Sequence, residues 1–501
     1  MSARVRSALL LVGALVAHAT SIPAGHQFNA SLAAFDSGAR AVIGNYTAVE
    51  TPKAPQEAAS PAERQFRAWL GAFNRGSRQE FLTFLREHYP SNVAGIDDDM
   101  NFRRMTGGFD VRKVEAATAT TFTCLVQERA SDQFARAETE VEGAAPHRII
   151  RMDLNAVPHP AEFPVPRMSE PGVLAALRAR LDGAAAKDMF SGAVLVAHNG
   201  KVIFSVAHGP ADREKRIPNT LKTLFRMGSM NKMFTATSVL QLVQAGKLKL
   251  NDPVGMYLAD YPNREVAAKV TIHHLLTHTG GTGDIFGPEF SAHRLELRTL
   301  NDYVKLYGTR GLRFEPGAKF EYSNYGFLLL GVMIERVSGQ SYYDYVQDHV
   351  FKPAGMTSSG SEPEDQAVPD RSKGYMRQNG TWALNTDTLP YRGTSAGGGY
   401  TTVGDLLRFA SALTGHHLLN AHYTDLLTTG KVDAGGGGKY AYGFVDRVSG
   451  GIRSFGHSGG APGMNGDLQI FPQSGYVVTA LTNMDSGASQ VTAWVANRLP
   501  K

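Results

Sequence analysis

Apolar residues recur at helical spacing from Pro61 to Tyr89. Phe66, Trp69, Leu70 and Phe73 share one helical face, and Phe81, Phe84 and Leu85 share a second. The period then shortens to two. Phe122, Cys124 and Val126 alternate with polar residues, as do Ile150, Met152 and Leu154, with a more polar strand between them from Phe134 to Val141. Helices followed by a meander of strands predict a small α+β domain over residues 61–156. The next segment, VPHPAEFPVPRMSEP, places five prolines between Val157 and Pro171. Prolines at that density exclude a helix or a ladder and favour an extended spacer, so residues 157–171 read as a linker.

Residues 172–501 form the second large unit. A helical pattern from Gly172 to Lys187 leads into GAVLVAHNGKVIFSVAHG, where Val194, Val196 and Val202, Phe204 flank Asn199-Gly200, a strong hairpin signal. Helical patterns dominate from Ser229 to about Phe351. One of them, amphipathic through Met233, Val239, Leu240, Leu242 and Val243, ends at Gly246. Strands return after Tyr442, and the closing TAWVANRLP reads as a helix. Strands at both ends of this unit predict one antiparallel sheet assembled from its N- and C-terminal pieces, with a helical region against it. The GGGG run at 435–438 lacks a following Lys-Ser/Thr, so it is a loop and not a phosphate cradle.

Composition sharpens this picture at four points. A chain of 501 residues is too long for one ordinary core, and 43% hydrophobic with 19% charged residues is a globular balance. The N-terminus, MSARVRSALLLVGALVAHAT, carries Arg4 and Arg6 ahead of a short apolar run and a small-x-small site at Ala17-His18-Ala19. That order predicts a signal peptide over residues 1–19, followed by an Ala/Ser/Thr/Pro-rich, loosely ordered lead-in over 20–60. No later apolar run is long enough for a membrane span. Without residues 1–19 the chain has 49 basic against 46 acidic side chains and no dense basic run, which predicts no nucleic-acid partner. Cys124 is the only cysteine, so neither an intramolecular disulfide nor a lipid-bearing cysteine after the leader is available. These features predict a soluble protein of the periplasm, or a secreted one.

Candidate chemistry begins at GSMNKMF, Gly228 to Phe234. Ser229 stands three residues before Lys232 at the start of the amphipathic helix, so both side chains share one face. Unpaired N–H groups at a helix start can hold an oxyanion, while the positive end of the helix and burial both press Lys232 towards its neutral, basic form. The other reading is a helix-capping serine beside a solvated lysine, and the spacing alone leaves both open. Two further stretches carry groups suited to acyl transfer. Tyr322-Ser323-Asn324 occupies a turn before an apolar helix, offering a proton shuttle and an amide. His457-Ser458-Gly459-Gly460 follows a strand expected over Arg453–Phe455, where glycines allow close approach to a substrate.

Ser229-x-x-Lys232, Tyr322-x-Asn324 and His457-Ser458-Gly459, in that chain order, resemble the serine penicillin-recognising superfamily, in its class C β-lactamase and DD-peptidase-like branch. LLTHTGG at 275–281, SAGGGYTTVGDLLRF at 395–409 and GHSGGAPG at 456–463 extend the resemblance over about residues 173–499. It implies an α+β fold of antiparallel sheet plus helical region. It also implies a catalytic set of Ser229, Lys232 and Tyr322, an oxyanion hole from the backbone N–H groups of Ser229 and Gly460, and substrate binding by Asn324, His457, Ser458 and Gly459. The activity implied is that of a serine hydrolase working through an acyl-enzyme on esters or D-amino-acid peptides and amides, without cofactor or metal. A slowly deacylating penicillin or cell-wall-peptide receptor and a class C-like β-lactamase are the alternatives. His457 stands where most β-lactamases of this branch have lysine, which speaks against efficient β-lactamase activity and predicts a site charge responsive near neutral pH. The stretch AFNRGSRQEFLTF with the strands after it resembles the cone-shaped cystatin and nuclear-transport-factor-like superfamily, which implies an accessory or dimerising module. His273, His274 and His278 include an i, i+4 pair but no helical His-Glu-x-x-His, so no metal is expected there, and Trp69, Phe73, Phe81 and Phe84 read as core ahead of a ligand cavity.

Overall fold

The computed structural model describes residues 59–378, 381–435 and 437–500. The expected signal peptide and residues 20–58 of the lead-in lie outside the described residues.

The first unit has helices Pro61–Arg75, Arg78–His88 and Ile96–Thr106 and an antiparallel sheet of Phe109–Ala117, Thr121–Glu128, Phe134–Val141 and Ile149–Val157, paired in chain order. Ser60 and Ser77 cap the first two helices, accepting hydrogen bonds from the Glu63 and Glu80 N–H groups. Trp69, Phe73, Phe81 and Phe84 lie in one buried cluster with Phe122 and Cys124, so these aromatic rings are core. Helix Ile96–Thr106 escapes the pattern reading because its residues are mostly polar, and strand Phe109–Ala117 because it is exposed almost throughout and follows no clean period. The fourth strand also departs from expectation: Ile150 is 50% exposed, whereas Ile149 is 3% exposed. A register shift between Glu140 and Val141 pairs Val141 with Ile149 and turns that residue inward.

Residues 158–169 form neither helix nor strand. Their end is fixed to the C-terminal helix, because Arg167 donates to the Ala496 and Leu499 carbonyls and Met168 N–H to that of Arg498.

The second unit is built on an eight-stranded sheet, antiparallel at every pairing. Its order is Val432–Asp433, Gly438–Tyr440, Val445–Ser449, Ile452–Ala461, Met464–Phe471, Tyr476–Thr482, Gly192–His198 and Lys201–His208. The hairpin turn at Asn199-Gly200 has φ of 50° and 76°, the left-handed conformation that Asn-Gly accepts most readily. Alternating residues of strand Gly192–His198 enter two cores. Ala193, Leu195 and Ala197 face the helical region, while Val194 and Val196 face helices Glu170–Ala186 and Ala488–Ala496. The sheet is therefore covered on both faces.

Helix Asn231–Gln244 is buried between the sheet and the other helices over nearly all its length. It is thus not the amphipathic helix that its apolar spacing suggests. Thr235, Thr237 and Ser238 escape the pattern by donating their hydroxyls back to carbonyls four residues earlier, which hides polar groups inside an apolar setting. Strand Ile452–Ala461 is longer than the expected 453–455, so His457 to Gly460 lie inside it and not after it. Among the described residues no helix is long and apolar enough to cross a membrane.

Candidate active site

Gly228–Met230 form a tight 3-10 turn that runs straight into helix Asn231–Gln244. Gly228 has a φ of 54°, where a side chain would be strained. The turn is gripped from two sides. Gly398 N–H donates to the Gly228 carbonyl and Met227 N–H to that of Gly399. On the other side lies strand Ile452–Ala461. A methyl added to Gly459 would stand 1.9 Å from the Met227 oxygen and 2.9 Å from the Ser229 nitrogen, and one added to Gly228 would stand 3.0 Å from the Gly460 nitrogen. Glycine at these positions lets the Ser229 and Gly460 backbones approach with no side chain between them.

Lys232 is completely buried. Its Nζ lies 2.7 Å from Asn324 Oδ1, 2.5 Å from the Ala396 carbonyl oxygen and 3.3 Å from Ser229 Oγ. The two short contacts are to oxygens that only accept, so they take two N–H bonds whatever the charge on the amine. The long contact is the one whose direction can reverse: an ammonium donates to Ser229, whereas a neutral amine accepts from it. Burial is the main force on this equilibrium and lowers the Lys232 pKa to about 7, although the negative charge of Asp284 pulls upward.

Asn324 opens helix Asn324–Ser338, behind a Ser323 cap. Its amide orientation follows from its partners: Oδ1 accepts from Lys232, and Nδ2 donates to Asp284 Oδ2 at 3.2 Å. Asp284 Oδ1 accepts the Asn324 backbone N–H at 2.9 Å. Asp284 and the Ala396 carbonyl are the groups that the sequence reading missed. A lone aspartate in the GTGDIFG loop is the only trace of the first, and a carbonyl leaves no trace at all. Burial raises the Asp284 pKa, against the backbone N–H groups of Ile285 and Asn324, the Asn324 amide and Lys232.

Tyr322 hydrogen-bonds the Ser229 side chain, and its ring centre lies 4.6 Å from Lys232 Nζ. Burial raises its pKa far above the ordinary phenol value, so it stands as a protonated donor. Its ring lies 4.2 Å from that of His278, a fully buried residue in the left-handed conformation whose Nδ1 accepts the Ser323 N–H. His273 and His274 turn to other partners, Tyr442 and the Thr271 N–H. Among the described residues no three His, Cys, Asp or Glu side chains are grouped to hold a metal ion.

His457 differs from its expected behaviour. The ring is buried, its Nδ1–H donates to the Ser458 carbonyl at 2.5 Å, and its Nε2 accepts from the Tyr440 hydroxyl at 3.0 Å. Burial first, and the charge of Lys232 second, bring its pKa to about 3. The imidazole is therefore neutral at physiological pH, and the expectation of a charge that responds near pH 7 is corrected. Ser458 stays partly exposed beside it. Contacts thus gather Ser229, Lys232, Tyr322 and Asn324, with the Gly459–Gly460 backbone against the Gly228–Ser229 turn and the His457 ring 6.5 Å from that of Tyr322.

Comparison with known proteins supplies the family. The family model described as Beta-lactamase matches residues 175–499. A solved structure of a penicillin binding protein from Bacillus halodurans is 35% identical, with a TM-score of 0.59 over 63% of this chain and 99% of that one. A D-stereospecific amidohydrolase from Streptomyces sp. is 28% identical, with a TM-score of 0.55 over 64% of this chain and 97% of that one. The esterase EstB of Burkholderia gladioli is 36% identical over 216 residues, 39% of this chain, and the match spans only about half of EstB, 55% of its length. With a helical region against an antiparallel sheet, and with esterase and amidohydrolase relatives, this chain belongs to the beta-lactamase family as one of its serine hydrolases.

Proposed function

We propose that Ser229 is the nucleophile of an exported hydrolase that acts through an acyl-enzyme on esters and D-amino-acid amides or peptides. The observation that carries this reading is Lys232, buried without an adjacent carboxylate, its pKa near neutrality and its Nζ within reach of Ser229 Oγ. The neutral amine takes the Ser229 proton as Oγ bonds to the substrate carbonyl carbon. The resulting oxyanion is held by the Ser229 and Gly460 backbone N–H groups, about 3 kcal/mol of barrier per donor in sites of this kind. Tyr322 gives its proton to the departing alkoxide or amine. In deacylation, water attacks the ester carbonyl and returns a proton to the Tyr322 oxygen, while the Lys232 ammonium reprotonates Ser229. Asn324 orients both Lys232 and the bound acyl group. Every proton is accounted for over the cycle.

The neutral His457 bears on substrate class. A substrate carboxylate beside strand Ile452–Ala461 finds no cation at position 457, so esters and amides rank ahead of β-lactams and of peptides with a free terminal carboxylate. The EstB and D-stereospecific amidohydrolase relatives favour the same two classes. Export rests on the charged head, apolar core and small-x-small site of residues 1–19. The proline-rich segment 157–171 would divide an accessory or dimerising unit from the hydrolase unit.

The test is a time course by intact mass on the protein cleaved after residue 19, with a p-nitrophenyl acyl ester and, separately, a penicillin. A transient adduct on Ser229 with fast ester turnover is expected. A stable penicilloyl adduct with little ester turnover would replace the hydrolase with the slowly deacylating receptor, and labelling that persists in Ser229→Ala would remove Ser229 from the mechanism.

A further inference from the structure

A second cavity, of about 240 Å³, lies between the two units and away from Ser229. One wall comes from helix Ile96–Thr106 and the sheet of the first unit, the other from strand Met464–Phe471, the loop at Asp485–Gly487 and helix Ala488–Ala496. Phe102, Phe109, Phe134 and Trp494 give it aromatic faces, with Leu154 and Met105 between them. Its volume exceeds the roughly 150 Å³ of an apolar cavity that takes up benzene, so a ring with a short arm fits.

The charge of the lining is one-sided. Glu128, Asp132 and Asp485 line the cavity beside one histidine, His159, and among the described residues no lysine or arginine does. Asp132 is already matched: Arg498 donates to both its oxygens, at 2.6 and 2.9 Å, and Arg180 stands behind it with its guanidinium on the Ala130 carbonyl. Glu128 and Asp485 have no such partner. The first accepts only the Ser131 hydroxyl, at 2.5 Å, and the second accepts the Gly463 N–H, at 2.7 Å, and the Arg377 backbone N–H. Glu128 is partly buried, which raises its carboxyl pKa to about 7, whereas Asp485 keeps an exposed side; among the described residues no cationic side chain acts on either group. A partly buried carboxyl such as that of Glu128, without a cation, is an incomplete arrangement, and aromatic faces attract the same sign of charge that would complete it.

We propose that this cavity between the two units is a binding site for a small organic ammonium ion with an aromatic or branched aliphatic body. The body lies against Phe102, Phe134 and Trp494, and the ammonium group donates to Glu128 with Asp485 nearby. The far wall reaches the catalytic strand, because Asn465 lines the cavity and its Nδ2 donates to the Gly459 carbonyl. This site is separate from the cleft at Ser229 and does not depend on the reading of that cleft.

Benzylamine and its uncharged counterpart benzyl alcohol test it, by titration calorimetry on the whole chain without residues 1–19. Benzylamine is expected to bind at least tenfold more tightly than benzyl alcohol, and equally well to Ser229→Ala. Glu128→Gln removes the tenfold preference while leaving benzyl alcohol binding in place, and Asp485→Asn reduces the preference in part. Ala493→Phe fills the cavity and abolishes binding of both probes. Equal affinity for the two probes, or benzylamine binding that survives both Glu128→Gln and Ala493→Phe, overturns the proposal. So does benzylamine binding that is lost in Ser229→Ala, since the probe then occupies the catalytic cleft.

Discussion

Lys232 and Arg498 are both basic side chains withdrawn from water, and the fold treats them in opposite ways. Arg498 meets Asp132 across the joint between the units, its guanidinium donating to both carboxylate oxygens, with side chains only 17% and 12% exposed. Burial alone would raise the Asp132 pKa, but the Arg498 and Asn497 hydrogen bonds more than offset it and hold that carboxyl ionised. Lys232 meets an amide oxygen and a carbonyl, while Asp284 hydrogen-bonds Asn324 and acts on Lys232 through its charge without pairing with it. Full pairing fixes a charge and makes a joint. Partial pairing leaves the charge free to come and go.

The largest effect that tests this contrast is at Lys232. Replacing it by arginine keeps the positive charge but removes the ability to shed it, so kcat/KM for a p-nitrophenyl ester falls by about 10³-fold or more. Activity within tenfold of the parent would place the base elsewhere. In the parent, kcat/KM rises with pH through about 7 and levels off above it, because the amine gains its basic form there. The same depressed pKa means that the unfolded chain holds the extra proton between about 7 and 10.5, so the Lys232 contribution to stability improves as pH rises across that window.

Next comes the joint. Arg498→Met leaves the Asp132 carboxylate without its cation and lowers stability by about 2–3 kcal/mol. Urea unfolding followed by tryptophan fluorescence reads this directly, because Trp494 lies 4.4 Å from the Arg498 guanidinium. Ester turnover in that variant stays within twofold of the parent; a larger loss would tie the joint to the cleft.

Tyr322→Phe removes the donor to the leaving group and slows turnover by about 10²-fold. An unchanged rate would move both proton transfers to Lys232. The smallest effect is at Asp284. In Asp284→Asn the new amide opposes the Asn324 Nδ2, disturbing the orientation that presents Oδ1 to Lys232, and kcat/KM falls about tenfold. The loss of a negative charge also moves the acid limb of the pH profile downward, since Asp284 raises the Lys232 pKa. An upward shift would contradict the relay.

The sequence was most legible where chemistry needs particular side chains at particular spacings. Ser229 and Lys232 three apart, and Tyr322 and Asn324 two apart, are such pairs, and the structure brings all four into one cleft. The antiparallel sheet of the second unit was legible too, from strands at both of its sequence ends. Legibility failed where burial changes what a residue type does. His457 looks titratable in the sequence, yet Tyr440 and the Ser458 carbonyl enclose it as a neutral ring. Helix Asn231–Gln244 looks one-sided because its hydroxyl residues count as polar, although they satisfy themselves against their own helix. Ile150 was misplaced for a different reason: a single-residue register shift reverses the inward side, and no composition reports it. Asp284 was missed because its partners, Asn324 and Lys232, are distant in sequence and meet only after folding.

The order of strands in the large sheet sets a timetable for the molecule. Strand Tyr476–Thr482 lies between Gly192–His198 and Met464–Phe471, and the Tyr476 hydroxyl donates to Glu170, 306 residues upstream. The early hairpin therefore waits, with one edge unpaired, until the growing chain has passed Thr482. Contacts this distant in sequence close slowly. A nascent chain cannot bring Gly459 and Gly460 against Ser229 with a complete sheet behind them, so catalysis starts only after the last strand arrives.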